Sequence, residues 1–148
     1  MKQILLPNEV MLGEVCRLLS EGSSVIILTK GSSMLPFIVG DRDSVVLERR
    51  DSLSVGEIAL AQLPGGIYVL HRIVALDGDA VTLRGDGNLR GVEHCRRQDV
   101  HGTVSCIQKA GGRQVNCRGK WFRFCSGCWG VLPRIVRRIF LGLYRRMI

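Results

Sequence analysis

The sequence predicts a mainly β fold, built as a small coiled antiparallel sheet or partly closed barrel with a helix at each end. β-Branched and alternating apolar runs occupy most of residues 24–107. Turn motifs separate these runs, with Gly-Asp at 40–41, Pro-Gly-Gly at 64–66 and Asp-Gly-Asp at 77–79. The 18 glycines among 148 residues supply the many turns that a sheet-rich chain of this length needs.

The elements follow from the local patterns. A helix is predicted from Glu9 to Ser20, with Asn8 as its N-cap, Gly22 as its stop and a broad apolar face that should cover the sheet. Short strands follow, and the Pro-Gly-Gly motif between two of them predicts a hairpin. The predicted strands are Ser24–Thr29, Ser44–Glu48, Ile58–Leu63, Ile67–Leu76, Ala80–Arg84 and Gly102–Ile107.

Charge divides the chain into two regions. Residues 1–99 contain 11 Lys/Arg and 13 Asp/Glu, whereas residues 100–148 contain 10 Lys/Arg and no acid. We therefore predict a first domain over residues 1–110 and a basic, cysteine-containing tail over 111–148. The tail should end in an amphipathic helix over 133–148, which Pro133 opens. At about 1.5 Å per residue this helix is shorter than the roughly 30 Å hydrocarbon core of a bilayer.

The basic helix bears on partners and location. Its apolar face and arginine-rich face predict peripheral contact with an anionic membrane surface through Pro133–Ile148. Packing against the protein's own sheet or against a partner is the alternative. Nucleic acid is disfavoured, because few aromatic residues are interleaved with the basic ones. The N-terminus lacks the pattern of a signal peptide, and no apolar run is long enough to span a membrane, so a cytoplasmic location is expected.

The six cysteines predict no metal site and no other cofactor. Cys125 and Cys128 form a C-x-x-C pair with Cys117 upstream, but a second such pair or a histidine pair at zinc-site spacing is missing. Reduced thiols in an intracellular chain are the simpler interpretation.

The residues that can carry chemistry lie in three stretches. Lys30–Asp41 contains adjacent serines, and a serine becomes a nucleophile only when a base removes its proton. The unperturbed pKa of a histidine is near 6.5, whereas the pKa of a lysine such as Lys30 must be lowered by about 3 units before it can act as a base at neutral pH. His71 in the second stretch is therefore the preferred base for Ser33, and the third stretch, 82–88, supplies a carboxylate.

These stretches carry a resemblance to a known family. KGSSMLPFIVGD resembles the nucleophile box of the signal peptidase I superfamily, and LRGDGN resembles its Gly-Asp-Asn box. LHRIV resembles the base-bearing strand, with His71-Arg72 as in the endoplasmic-reticulum and archaeal type. The resemblance covers about residues 25–108. It implies a serine endopeptidase that cleaves a leader or signal-like peptide from a precursor, with Ser33 as nucleophile and His71 as base.

The resemblance also assigns supporting roles around the serine. The backbone N–H of Ser33 would stabilise the tetrahedral oxyanion, with Ser32 shaping the turn or donating to it. Met34 would hold the loop by packing. The enzymes of this type usually carry a hydroxyl residue where this chain has Gly31. The transmembrane segment that precedes their serine box also has no counterpart in the roughly 30 residues before it here.

The carboxylate that orients His71 is left open by the sequence. Asp86, in the Gly-Asp-Asn-like box, ranks first; Glu93 ranks second and Asp99 third. Two other functions also stay open. One is a non-catalytic or regulatory binding module on the same fold, tethered by the basic tail. The other is a self-cleaving repressor, which is disfavoured because the chain lacks a DNA-binding motif and a lysine in the base position.

Overall fold

The computed structural model describes residues 2–4, 9–88 and 91–148 of the chain. Three helices lie in these ranges, namely α1 (Glu9–Ser20), α2 (Lys120–Val131) and α3 (Arg134–Met147). The strands are β1 (Lys2–Ile4), β2 (Val25–Leu28), β3 (Ser44–Glu48), β4 (Ile58–Gln62), β5 (Tyr68–Asp77), β6 (Ala80–Arg84), β7 (Glu93–Arg96), β8 (Val100–Gln108) and β9 (Gln114–Asn116). A short 3-10 helix, Arg97–Asp99, joins β7 to β8.

The strands form one curled sheet that resembles a half-barrel. Their spatial order is β1-β2-β3-β8-β4-β5-β6-β7, and β9 pairs with β8. Every pairing is antiparallel except that of β1 with β2. The predicted fold class is confirmed, with a curled antiparallel sheet, an N-terminal helix and a basic C-terminal helix. The predicted cap of α1, Asn8, lies outside the described residues.

Two strands and one helix in the second half of the chain were not predicted. β7 is a four-residue strand of sequence Glu-His-Cys-Arg, so it has no apolar alternation to detect. β9 has three residues. α2 contains two glycines and aromatic residues all round, which hides its helical period. Its buried residues, Phe122 and Trp129, nevertheless lie seven positions apart on one face.

The core lies on both faces of the sheet. On one face α1 contributes Val15, Leu18 and Leu19, which pack on β2, β3 and β4. A second cluster, on strands β4 to β7, contains Ala59, Ala61, Ile73, Val81, Leu83 and Cys95. Phe122 of α2 joins the first cluster, so α2 is packed against the sheet. The domain division at residue 110 stays a prediction. Within the described residues, no helix is both long and apolar enough to cross a membrane.

Candidate active site

The loop that follows β2 carries the candidate nucleophile. Gly31 adopts a φ of 79°, a backbone conformation that side chains other than glycine rarely take, and the chain then turns through Ser33. The segment after β6, which contains Asp86 and Gly87, holds this loop in place through two contacts. The N–H of Gly87 donates to the carbonyl oxygen of Ser33 at 2.8 Å, and the N–H of Asp86 approaches Met34 Sδ at 3.5 Å. Two of the three sequence stretches are therefore in direct contact.

Gly85 is the point at which Ser33 and His71 meet. A Cβ added to Gly85 would lie 2.4 Å from the carbonyl oxygen of Ser33, 3.1 Å from its Cβ and 3.2 Å from His71 Nε2. The first distance is far below van der Waals contact, so no side chain fits there. Ser33 and His71 also line one cavity of about 230 Å³. Their side chains are not hydrogen-bonded to each other, and catalytic hydrogen bonds often form fully only with substrate.

Glu93 is the carboxylate that contacts His71. His71 is buried, and its Nδ1 is hydrogen-bonded to Glu93 Oε1. A neutral imidazole that donates its Nδ1 proton to a carboxylate has Nε2 free to accept one. Since Nε2 is the atom nearest Gly85 and the serine loop, this contact points the basic nitrogen towards Ser33. The second-ranked acid thus occupies the position in which an acid can orient the base.

Asp86, the first-ranked acid, lies on Arg72 instead. Its two carboxylate oxygens accept from Arg72 Nε at 2.8 Å and from Nη2 at 2.6 Å. Both side chains are buried, and Nη1 of Arg72 donates to the carbonyl oxygen of Gly56 at 2.7 Å. The third-ranked acid, Asp99, accepts from the N–H of Arg96 at 2.9 Å within its own turn. The structure therefore places Glu93, and not Asp86 or Asp99, against His71.

The strand register explains this sorting of the acids. Consecutive residues of a strand point to opposite faces of the sheet, so His71 and Arg72 face opposite ways. Glu93 lies opposite Leu83, and Leu83 lies opposite Ile73, which shares its face with His71. A β-bulge between Ile73 and Ala75 shifts the β5–β6 register by one residue.

Without that bulge, counting back from the Asp77–Ala80 pair would place Asp86 opposite His71. With it, the pairing of Arg72 with Arg84 extends to place Gly85 opposite His71 and Asp86 on the face of Arg72. The bulge therefore brings a residue without a side chain to the place where Ser33 approaches the imidazole.

The predicted supporting residues differ in their surroundings. Met34 is buried in the main core cluster, in keeping with its expected packing role. Ser32 is exposed, and its carbonyl oxygen accepts from the N–H of Leu35 at 3.2 Å. Lys30 is exposed at the border of the cavity. The oxyanion roles of Ser32 and of the Ser33 N–H stay predictions.

The cavity beside Ser33 is largely apolar. Its apolar lining residues are Leu12, Ile27, Leu28, Met34, Ile38, Leu60, Val69 and Leu70. One of its walls also offers a strand edge. Val69 and Leu70 of β5 pair with β4 on one side, whereas β6 pairs with β5 only from Arg72 onwards in the described residues. An extended peptide could add to that edge with one side chain in the cavity.

Three cysteines are shielded by burial rather than placed in the site. Burial raises the pKa of Cys16 and of Cys95 to about 11 and that of Cys117 to about 12. These thiols are therefore protonated and poorly reactive at neutral pH. Within the described part of the chain, no group of three or more His, Cys, Asp or Glu side chains is arranged to hold a metal ion.

Comparison of the chain with known protein families finds no match, and no curated protein matches its sequence. The resemblance to the signal peptidase I superfamily thus rests on short motifs between residues 25 and 108.

Proposed function

We propose that the protein is a serine endopeptidase in which Ser33 is the nucleophile, His71 the general base and Glu93 the residue that orients His71. One observation carries this proposal: Ser33 Cβ and His71 Nε2 both lie beside Gly85. On the other side of the imidazole ring, Nδ1 is hydrogen-bonded to Glu93. A nucleophile, a base and an orienting acid in that order form the arrangement of a catalytic triad.

The reaction would follow the acyl-enzyme route. Ser33 Oγ attacks the scissile carbonyl carbon while His71 Nε2 takes the hydroxyl proton, and the imidazolium then returns that proton to the departing amine. Water then attacks the acyl carbon while His71 takes its proton, and the imidazolium gives that proton to Ser33 Oγ as the acid product leaves and the free enzyme is restored. Glu93 stabilises the imidazolium in both halves of the reaction. Backbone N–H groups of the serine loop would supply oxyanion stabilisation, a contribution usually worth about 3–4 kcal/mol.

The substrate in this proposal is an extended peptide. Backbone hydrogen bonds to the edge at Val69 and Leu70 would fix its register, and the apolar cavity would select a side chain beside the cut. A leader or signal-like peptide fits this description, because it carries an apolar run close to its cleavage site. Arg72 and Asp86 would act only on structure, by holding the segment that fastens the serine loop.

A fluorophosphonate probe tests the nucleophile without knowledge of the substrate. Activated Ser33 should displace fluoride from the probe and gain one phosphonate adduct, located by peptide mass spectrometry. Ser33→Ala should abolish labelling, and His71→Gln should slow it by about 100-fold or more, since general base catalysis contributes 10²–10⁴. The matched control is Ser52→Ala, which removes an exposed hydroxyl outside the three stretches and should leave labelling intact.

Labelling that persists in Ser33→Ala would overturn the assignment. A folded wild-type chain that takes up no probe would favour the alternative, a binding module on the same fold. Circular dichroism of each variant, recorded beside the labelling, separates loss of chemistry from loss of fold.

A further inference from the structure

Helix α3 turns its apolar side away from the rest of the protein. Its single buried residue is Leu141, with Arg137 and Tyr144 half-buried beside it, so these positions define the face that packs on the body. The large apolar side chains on the rest of the helix are exposed. They are Ile135, Val136, Ile139, Phe140, Leu143 and Met147, and together we call them the outer face.

The first helix shows the ordinary behaviour for comparison. In α1, the apolar residues Val15, Leu18 and Leu19 are buried against the sheet. An amphipathic helix on a globular protein normally buries its apolar stripe in this way. The outer face of α3 is thus an exposed apolar patch of the kind that marks a membrane or protein interaction site.

The attachment of α3 to the body is specific. Leu141 packs in a cluster with Trp129 of α2 and with Leu35 and Val39 of the serine loop. Phe140 also meets Trp129 edge to face, with ring centroids 5.4 Å apart. Burying the outer face against the protein's own sheet would require this cluster to break. An external surface can cover the outer face without that cost.

The positive charge of α3 indicates which kind of surface can cover the outer face. Arg134, Arg138 and Arg145 are all exposed and follow one another at spacings of four and seven, so they form one stripe along α3. Residues 100–148 contain ten basic residues and no acid. A second copy of the chain would bring a like-charged tail against this one. An anionic membrane instead offers an apolar interior to the outer face and phosphates to the arginine stripe.

Aromatic residues on the neighbouring helix suit the same environment. Trp121 and Phe124 of α2 are exposed and stacked, with ring centroids 5.9 Å apart. Aromatic side chains of this kind, tryptophan above all, favour the boundary between headgroups and acyl chains. We propose that α3, through its outer face and arginine stripe, docks the protein on anionic lipid bilayers. This proposal does not depend on the chemistry of Ser33.

Vesicle flotation of the full chain tests the docking, with Ser33→Ala used in parallel so that any failure is separable from the peptidase assignment. The protein should float with vesicles of equal phosphatidylcholine and phosphatidylglycerol, and much less with phosphatidylcholine alone. Raising the salt concentration from about 0.1 to 0.5 M should weaken binding, because the screening length falls well below 10 Å. Replacing Arg134, Arg138 and Arg145 by Gln together should remove most of the preference for anionic vesicles.

The apolar part has a matched pair of variants. Ile139→Ser, in the outer face, should lower the vesicle partition coefficient about tenfold, the loss expected for one large aliphatic side chain. Ile67→Ser is the control, since Ile67 is 57% exposed and Ile139 is 60% exposed, but Ile67 lies in the β4–β5 hairpin. Equal binding to neutral and anionic vesicles would overturn the proposal, as would no binding to either kind. A wild-type dimer that Ile139→Ser converts to a monomer would also overturn it, because a second copy would then cover the outer face.

Discussion

Two side-chain pairs, His71 with Glu93 and Arg72 with Asp86, start from neighbouring positions of β5 and lie on opposite faces of the sheet, where they have different roles. His71 with Glu93 lies on one face, beside the serine loop and its cavity. Arg72 with Asp86 lies on the other, where the guanidinium carbon is 5.3 and 5.5 Å from the ring centroids of Phe37 and Phe122, two rings that pack edge to face with each other. The Glu93 side chain is 20% exposed and that of Asp86 is 6% exposed.

The two pairs differ in whether the basic side chain can exchange a proton. The guanidinium of an arginine is not deprotonated in proteins, so an arginine in this position cannot serve as a general base. It can only hold the chain in place, and Asp86 lies in the segment that fastens Ser33. A histidine changes its protonation near neutral pH, so the same kind of contact on the other face becomes a means of directing a proton. His71 and Arg72 are neighbours on β5, yet the first serves the proposed chemistry and the second stabilises the structure around it.

The largest expected effect follows from Glu93→Gln. The amide keeps the size of the side chain but no longer stabilises an imidazolium, so the rate of phosphonate labelling at Ser33 should fall by about 10²–10⁴. Urea unfolding of this variant should change by only about 1 kcal/mol, because the amide oxygen still accepts from Nδ1. Labelling at the wild-type rate would show that His71 acts without Glu93.

Asp86→Leu should have its main effect on the stability of the fold rather than on the labelling of Ser33. It leaves the buried Arg72 guanidinium without its carboxylate, which should lower the free energy of unfolding by about 3–5 kcal/mol. Urea unfolding measures this change. Combining it with Arg72→Met replaces the pair by apolar side chains and should recover much of the loss. If Asp86→Leu kept wild-type stability and lost labelling alone, the division of work between the two faces would be wrong.

The sequence predicted six strands, β2 to β6 and β8, because these carry a local apolar pattern. Ser33 and His71, which residue chemistry and the resemblance paired, lie close together in the structure, and their catalytic roles stay a proposal. The sequence did not rank the acids correctly as partners of His71, because that choice depends on register. An unbroken β5–β6 hairpin would bring Asp86 opposite His71, and one bulged residue brings Gly85 there instead. Glu93 lies on a strand too short and too polar to be recognised. The outward apolar face of α3 also depended on tertiary packing, since the helical pattern alone fits burial or exposure.

The smallest expected effect concerns His101 of β8, a half-buried histidine outside the proposed site. Its Nε2 is buried with no hydrogen-bond partner among the described residues, and its ring lies 6.3 Å from that of Tyr68. Burial lowers the pKa of His101 below its usual 6.5, with partial opposition from the charge of Asp99. Both folded and unfolded chains hold this residue neutral above that value.

As the pH falls below about 6.5, the unfolded chain takes up the proton first, so the free energy of unfolding declines until the pH passes the lowered pKa of His101, and below that pH the loss remains constant. The free energy of unfolding, measured by urea titration at pH 7.5, 6.5 and 5.5, should therefore decline less in His101→Phe than in the wild type. An identical decline in both proteins would mean that the burial of His101 has no energetic consequence.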